Sequence, residues 1–182
     1  MLTTKAAGRY AAALLELAQE RNELEEVLED IFLMHNTMEG SSELVNFLQS
    51  PIIKFDDKIA VLEKLFSDGI QDSTDKFMKL LARKDRIELL YQITADFIAQ
   101  YKKLKGIITV DVVVAEELNK DQQIQLQKSI EKRVQKKVDL NVSIDETVRG
   151  GISVRIDDTV IDGTVKHQLE KLNERLHSTA AV

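Results

Sequence analysis

Histidines, adjacent acidic pairs and one glycine pair are the residues of this 182-residue chain that are suited to catalysis or ligand binding. The three histidines are His35, His167 and His177. They lie in different segments, and none has a second histidine at the spacing of a metal-binding helix. The acidic pairs are Asp56-Asp57 and Asp157-Asp158. Adjacent carboxylates point in different directions and do not converge on one substrate, so the spacing predicts no catalytic or metal site.

The glycines do not form a phosphate-binding loop. Gly150-Gly151 precedes an alternating apolar pattern typical of a strand, whereas phosphate-binding glycine loops precede a helix whose amide groups face the anion. Asp162-Gly163-Thr164 does precede a helical pattern, but its carboxylate would repel a phosphate, and we predict that Asp162 caps this helix. Cysteine is absent, which excludes thiol chemistry and cysteine-bound zinc. We therefore expect no cofactor and no metal.

The charge balance argues against nucleic acid as a partner. The net charge is −6, with 14 basic and 18 acidic residues through Lys105 and 11 basic and 13 acidic residues from Gly106 onward. Proteins that bind nucleic acid usually carry a positive domain or stripe. One basic cluster lies on a single predicted helix and comprises Lys128, Lys132, Arg133, Lys136 and Lys137. It is compatible with a solvated face, an acidic protein partner or, as the alternative function, an RNA-binding module.

The first part of the chain is predicted to be helical almost throughout, from Thr4 to about Lys105. Turn-forming residues divide it into about six helices; they include Gly40-Ser41-Ser42, Ser50-Pro51, Ser67-Asp68-Gly69 and Asp72-Ser73-Thr74. Two segments carry apolar residues at three- and four-residue steps, namely Leu24, Val27, Leu28, Ile31 and Met34, and Ile87, Leu90, Ile93, Phe97 and Tyr101. Connections this short favour antiparallel neighbours, so we expect a helical bundle.

The first helix differs from the others because apolar residues cover nearly its whole circumference. They are Ala6, Ala7, Tyr10, Ala11, Ala12, Ala13, Leu14, Leu15, Leu17 and Ala18. Such a helix is either buried on every side, or buried on one side and used for docking on another. Both interpretations remain open on the residues alone.

The second part of the chain has the pattern of a small α/β domain. The composition changes near Lys103 and Gly106, and we predict two domains, residues 1–105 and 106–182. A β-branched strand from Ile107 to Val114 precedes a helix that Asn119 or Asp121 could cap. Two alternating strands follow, at Val138, Leu140, Val142 and Ile144, and at Ile152, Val154 and Ile156. The last helix carries Val165, Leu169, Leu172 and Leu176, so the predicted order is strand, helix, strand, strand, helix.

Four sequence segments together resemble one protein family over nearly the whole chain. These are residues 9–18 (Arg-Tyr-Ala-Ala-Ala-Leu-Leu-Glu-Leu-Ala), Asn46-Phe47-Leu48 with Ser50-Pro51, residues 77–82 with Arg86-Ile87, and the segment from Gly150-Gly151-Ile152 through Val160-Ile161-Asp162-Gly163-Thr164-Val165 to Leu172. In this pattern the chain resembles the delta subunit of F-type ATP synthases, the bacterial counterpart of the mitochondrial oligomycin-sensitivity-conferring protein. Thr164 stands where serine is usual, which keeps the hydroxyl.

The resemblance implies a non-catalytic stator subunit with two partner contacts. In the family, the helical domain receives the amino-terminal helix of the F1 alpha subunit between its first and fifth helices. The corresponding residues here are Arg9, Tyr10, Ala13, Leu14, Leu17, Phe77, Leu80 and Leu81. The carboxyl-terminal domain meets the b subunits of the peripheral stalk, which implies a contact through Gly150, Gly151, Ile161, Asp162, Gly163, Val165, Leu169 and Leu172.

The same resemblance implies one copy of the chain per complex, as a monomer reaching the membrane only through its partners. No apolar run approaches the length of a membrane span, and the amino end lacks the pattern of a signal or transit peptide. We therefore expect a peripheral location at the cytoplasmic face of a bacterial plasma membrane. A small enzyme at the domain junction is a further hypothesis, which would need convergent polar groups in a pocket.

Overall fold

Six α-helices form the amino-terminal part of the computed structural model, which describes residues 5–66, 69–156 and 158–171. They are α1 (Lys5–Glu20), α2 (Leu24–Glu39), α3 (Ser42–Gln49), α4 (Phe55–Phe66), α5 (Asp72–Arg83) and α6 (Leu90–Lys105), with a 3₁₀ turn at Ile87–Leu89. The prediction of about six helices is confirmed. The chain divides into two compact units, Met1–Lys102 and Lys103–Val182.

Local residue chemistry explains where several of these helices begin and end. The Ser41 side chain accepts a hydrogen bond from the Leu44 backbone N–H at 3.3 Å, which caps α3. Pro51 follows α3 closely, and a proline biases the residue before it away from helical geometry. The α1–α2 turn passes through Asn22 with φ 58°, and the Glu23 N–H donates to the Ala18 carbonyl at 2.9 Å. These turns permit the sharp reversals of a bundle.

In the first unit, α6 packs against α1 and α2. The Gln100 side-chain amide donates to the Gly8 carbonyl at 3.0 Å, which ties α6 to α1. The Tyr101 hydroxyl donates to the Glu25 carboxylate at 2.7 Å, which ties α6 to the start of α2. Several fully buried apolar side chains fill the space between helices, including Ile31, Met34, Leu90, Ile93 and Phe97. The predicted apolar stripe of the α6 segment is therefore buried, and the α2 stripe is buried at Val27, Ile31 and Met34 but only partly buried at Leu24 and Leu28.

The second unit is a four-stranded sheet with a crossover helix. Its elements are β1 (Ile108–Val114), α7 (Lys120–Val134), β2 (Val138–Ile144), β3 (Ile152–Ile156) and β4 (Thr159–Asp162), with a 3₁₀ turn at Glu146–Val148; residues 165–171 are helical and are called α8. The strand order is β2-β1-β3-β4. β1 is parallel to β2 and antiparallel to β3, and β3 is antiparallel to β4.

Strand β4 was not predicted. Its four residues are all exposed, so the stretch lacks the alternation of buried and exposed positions that marks a half-buried strand. It forms because β3 provides an antiparallel partner, with Val154 opposite Ile161 and Arg155 opposite Val160. The remaining order of strand, helix, strand, strand, helix is as predicted.

Helix α7 covers an apolar core on one face of the sheet. The Asn119 side chain accepts from the Gln122 N–H, and the Gln122 side chain accepts from the Asn119 N–H, which forms a capping box. Of the two predicted caps, Asn119 is the one used. The buried cluster beneath α7 consists of Val110, Val112, Val114, Ile130, Val138 and Val154. Among the described helices, none has both the length and the apolar character that a membrane span requires.

Candidate docking surfaces

Helix α1 is neither wholly enclosed nor wholly open. One stripe is buried and consists of Ala7, Ala11, Leu14, Leu15 and Ala18. Beside this stripe, Tyr10 and Leu17 are half-buried and Ala13 is exposed. Burial on every side is therefore wrong for this helix, and the use of its accessible side for docking stays a prediction. The outer stripe of Tyr10, Ala13 and Leu17 is apolar surface next to helix α5, and we call it the α1 stripe.

An aromatic contact joins α1 to α5 at this stripe. The Tyr10 and Phe77 rings meet edge to face, with centroids 6.5 Å apart and an interplanar angle of 68°. Leu80 lies one turn after Phe77 and remains 45% exposed. Phe77 is only 7% exposed and adds little accessible surface. The apolar surface that α5 contributes therefore comes from Leu80. The α1 stripe and Leu80 form the first candidate docking surface.

Polar contacts at the start of α5 fix its position against the α1–α2 turn. The Ser73 hydroxyl donates to the Glu23 carboxylate at 2.6 Å and accepts from the Arg21 guanidinium at 3.1 Å. Both partners lie in the short segment between α1 and α2. Since α5 carries one side of the docking surface, this cluster sets the spacing between its two sides.

A buried aspartate of α2 holds the first turn of α5. One Asp30 carboxylate oxygen accepts from the Gln71 backbone N–H at 2.8 Å and from the Thr74 hydroxyl at 2.7 Å. The backbone N–H of Gln71 at the start of α5 thus gains an acceptor from another helix, while the Gln71 side chain itself makes no capping hydrogen bond. We did not predict this role. The detectable signal was an acidic residue three positions after Val27, on the apolar side of α2.

Three of the eight residues implied for the groove are buried in this structure, namely Leu14, Phe77 and Leu81. Leu14 is 1% exposed and Leu81 is fully buried, so neither side chain is available to a partner in this structure. A continuous apolar pattern in sequence does not distinguish the side of a helix that faces neighbours from the side that faces solvent. Leu14 and Leu81 support the surface from beneath. The implied residues that are accessible to different degrees are Arg9, Tyr10, Ala13, Leu17 and Leu80.

In the second unit, the two glycine-containing segments of the family pattern pack against each other. The Gly163 N–H donates to the Ile152 carbonyl at 2.9 Å, and the Val165 N–H donates to the Gly150 carbonyl at 3.0 Å. Gly150 and Gly151 both have positive φ, at 136° and 76°. These hydrogen bonds therefore position the start of α8 beside the beginning of strand β3.

Thr164, rather than Asp162, caps helix α8, so the predicted cap was wrong. The buried Thr164 hydroxyl accepts from the His167 backbone N–H at 3.2 Å, three residues along. Asp162 instead accepts from the Thr164 N–H at 2.9 Å, in a turn that precedes the helix. This backbone hydrogen bond, together with weaker attraction to His167 and Lys171, lowers the pKa of the Asp162 carboxyl. Both residues rigidify the entry to α8.

Exposed apolar residues lie at this entry and form a second candidate docking surface. Between 40% and 50% of each residue is exposed at Ile161, Val165 and Leu169. Val165 and Leu169 are four residues apart and therefore lie on one side of α8. Of the implied contact residues, Leu172 lies outside the described residues, as do Leu176 and His177.

The histidines that the structure describes, His35 and His167, take part in contacts within the protein. The His35 ring stacks on Tyr91 with centroids 5.0 Å apart, and its Nδ1 lies 3.0 Å from the Thr94 hydroxyl oxygen. His167 contributes its backbone N–H to the α8 cap. In the parts of the chain that the structure describes, no three His, Cys, Asp or Glu residues are grouped to hold a metal ion.

The basic residues of α7 are exposed, but nothing else at this face favours RNA. Glu131 lies among them, where its carboxylate accepts from the Val138 N–H at 3.1 Å. Sequence-tolerant binding of single strands uses aromatic side chains on which bases stack, and residues 106–182 contain no Phe, Tyr or Trp. The RNA-binding alternative gains no support.

Comparison with known proteins shows which family matches this chain. The family described as ATP synthase delta (OSCP) subunit matches residues 6–176. The chain is 41% identical to ATP synthase subunit delta of Chlorobaculum tepidum over 176 residues, which is 97% of each chain. It is 38% identical to the same subunit of Chlorobaculum parvum, again over 97% of each chain.

A solved structure shares the fold. A chain in the cryo-EM structure of the Toxoplasma gondii mitochondrial ATP synthase hexamer is similar with a TM-score of 0.72 and 24% identity, over 95% of this chain and 98% of that one. The match spans both units, and the relatives match at nearly full length. On the family match and the sequence identity, this chain belongs to the ATP synthase delta (OSCP) subunit family.

Proposed function

We propose that this chain is the stator subunit that links the top of the F1 catalytic head to the peripheral stalk, so that proton-driven rotation is coupled to ATP synthesis. The observation that carries the proposal is the apolar surface left accessible between α1 and α5, in a family of ATP synthase subunits. Its partner is the amino-terminal helix of the alpha subunit. Tyr10, Ala13, Leu17 and Leu80 form the contact, with Arg9 at its border, and the chain contributes no catalytic residue.

An amphipathic helix is well matched to this first surface. Helix-in-groove recognition requires a row of apolar positions on the partner and a complementary pair of helices on the receptor. Here Phe77 supports the floor through its contact with Tyr10, while Leu80 and Leu17 project further out. The Asp30 and Ser73 contacts hold α5 in place, so little ordering of the receptor opposes binding.

The second surface is proposed to bind the carboxyl-terminal ends of the b subunits. The contact comprises the turn at Gly150, Gly151, Asp162 and Gly163 and the exposed apolar residues Ile161, Val165 and Leu169, continuing to Leu172 in the undescribed segment. The turn is held by two backbone hydrogen bonds, so it presents these apolar side chains at fixed positions. Through this contact the chain would be peripheral at the cytoplasmic face of the membrane, as one monomer per complex.

Holding two partners with two separate units is mechanically favourable. Once one contact has formed, the other benefits from a high effective concentration, so neither must be very tight alone. Specific association typically buries at least about 1,000 Å² of total surface. We propose residues 1–105 as the head-binding domain and residues 106–182 as the stalk-binding domain.

Affinity purification from membranes tests the function. We expect the tagged chain to recover both alpha and b subunits. Ala13→Asp with Leu80→Asp should lose the alpha subunit and retain b, whereas Val165→Asp with Leu169→Asp should lose b and retain alpha. Leu33→Asp and Ile124→Asp, at exposed leucine and isoleucine positions elsewhere on α2 and α7, are the matched controls. Recovery of neither partner by the unaltered chain would refute the proposal.

A further inference from the structure

The first docking surface has charges of opposite sign towards its two ends. Arg21 of the segment after α1 contacts Ser73, whereas Tyr10, near the start of α1, contacts Phe77. Moving forward along α5 therefore means moving backward along α1, so the two helices are antiparallel here. The carboxyl-terminal end of α5, which Lys84 directly follows, consequently lies towards the amino-terminal end of α1.

Basic residues border this end of the surface. Arg9 directly precedes Tyr10, and Lys84 lies seven residues after Phe77, on the same side of α5. Both side chains are exposed, and neither makes a hydrogen bond or ion pair with a described residue. Asp85, Glu88 and Asp96 are the acidic residues near this end; Glu88 is paired with Arg86 at 3.8 Å, and Asp96 lies beside Gly8. The basic residues Arg9, Arg83, Lys84 and Arg86 still outnumber them.

Acidic residues border the other end. Glu16 and Glu20 are exposed near the end of α1, and neither carboxylate has a bonding partner in the described part of the chain. Of the basic residues at this end, the exposed Lys76 of α5 is paired with Asp72, and the Arg21 guanidinium donates to the Ser73 hydroxyl. From Arg9 to Glu20 the α1 helix rises roughly 16 Å, which is about twice the screening length of about 8 Å at physiological salt. Each end of a bound helix therefore experiences mainly the charge of its own end.

We propose that this surface orients its partner: it takes an amphipathic helix with acidic residues at one end and basic residues at the other, and places the acidic end beside Arg9 and Lys84. This inference rests on the proposed function, since it specifies the chemistry and the direction of the helix bound there. Exposed ion pairs contribute little affinity, but a reversed helix would bring like charges together at both ends. The apolar stripe holds the helix, and the terminal charges select its direction.

Directional cross-linking tests this inference, since the chain has no natural cysteine. Cysteine is introduced at one end by Ala6→Cys or at the other by Glu20→Cys. The probe is a synthetic 18-residue amphipathic helix with glutamates in its first turn, lysines in its last turn, an apolar stripe between them and a cysteine at the glutamate end. Disulfide formation is followed in a fixed glutathione buffer. A charge-inverted form carries Arg9→Glu, Lys84→Glu and Glu16→Lys, with circular dichroism as the control for folding.

We expect the probe to react about tenfold faster at residue 6 than at residue 20, and the preference to reverse in the charge-inverted form. At about 0.5 M salt, where charges are screened within a few ångströms, the preference should largely disappear. Equal rates at both positions, or no reaction at either, would overturn the inference. Binding of the alpha subunit is measured separately by affinity purification, so a retained end preference without alpha recovery would refute the proposed function alone.

Discussion

Gly151 faces the carbonyl oxygen of Gly163 so closely that a β-carbon at residue 151 would lie 2.4 Å from that oxygen. Neither atom can withdraw easily, because the Gly163 N–H is hydrogen-bonded to the Ile152 carbonyl. This backbone approach therefore requires glycine at position 151, whereas a β-carbon at position 163 would make a tight contact of 3.1 Å with the Ile152 carbonyl oxygen. This contact holds the turn that presents the second docking surface.

Gly151→Ala should destabilise the second unit by at least about 2 kcal/mol, because it combines a positive φ of 76° with a clash against backbone. Gly106→Ala is the matched control, since its φ of 65° is similar but a β-carbon there would meet nothing within 4 Å. Urea denaturation of both variants measures the difference. If both variants lost the same free energy of unfolding, the short distance to Gly163 would not be the reason that residue 151 must be glycine.

Thr164→Val should lower the free energy of unfolding by about 1 kcal/mol, because the His167 N–H loses its acceptor at the start of α8. Valine keeps the shape of the buried side chain, so packing changes little. Thr164→Ser retains the hydroxyl and should remain close to the unaltered chain in the same thermal denaturation. If serine destabilised as much as valine, capping would not be the role of this residue.

Leu14→Asp should unfold the helical bundle, since it buries a carboxylate at a position that is 1% exposed. Ala13→Asp, on the adjacent exposed position, should preserve helical content and abolish recovery of the alpha subunit. Circular dichroism and affinity purification distinguish the two effects. A folded Leu14→Asp variant that lost only partner binding would return Leu14 to the docking surface.

The Tyr101 hydroxyl should titrate at high pH. Burial and the hydrogen bond to Glu25 raise the pKa of Tyr101 to about 12. Because the folded pKa exceeds the ordinary value of 10.0, this group stabilises the fold below about pH 10 and its contribution is lost as the pH rises to about 12.

Tyr101→Phe should lower the free energy of unfolding by about 1 kcal/mol at neutral pH. The decrease in this free energy between about pH 10 and pH 12 should be smaller in the variant by about 2–3 kcal/mol. Absorbance titration of a chain with Tyr10→Phe and Tyr91→Phe, which leaves Tyr101 as the single tyrosine, checks the pKa directly. A midpoint near 10 would contradict the expected hydrogen bond.

Asp96→Asn should stabilise the bundle at neutral pH. One Asp96 carboxylate oxygen is buried without a hydrogen-bond partner among the described residues, and burial raises the pKa of this carboxyl. Ionisation therefore opposes folding by an amount that grows as the pH rises from the ordinary pKa of 3.8 and is complete above the raised pKa. We expect the free energy of unfolding, measured by urea denaturation, to rise by an amount on the order of 1 kcal/mol at pH 7 and to be unchanged at pH 3. A loss at both values would show that the carboxylate has a favourable contact.

The sequence was sufficient to predict elements whose signals are local. Asn119 with Gln122 gives a capping box within one turn, and Ser50-Pro51 ends α3 through restrictions on neighbouring backbone. The apolar spacing of α2 likewise predicted a buried stripe, which the structure has at Val27, Ile31 and Met34. These features depend on residues within a few positions of each other.

Features that depend on distant residues could not be predicted in this way. The buried Asp30 gains its function from Gln71 and Thr74, which are more than 40 positions away in sequence and adjacent in space. Strand β4 exists because β3 provides a partner, although its own residues carry no buried pattern. The capping of α8 by Thr164 instead of Asp162 depends on how the chain approaches Gly150.

By itself, the sequence determined the family pattern, the bundle of about six helices, the α/β character of the second part and an apolar first helix. The tertiary structure alone decided which side of that helix remains accessible, burying Leu14 and leaving Ala13 exposed. The physical reason is that helical spacing defines the sides of a helix, whereas solvent exposure depends on which neighbouring helices cover each side. The positions of α5 and α6 set that coverage through long-range contacts such as Tyr10 with Phe77 and Gln100 with Gly8.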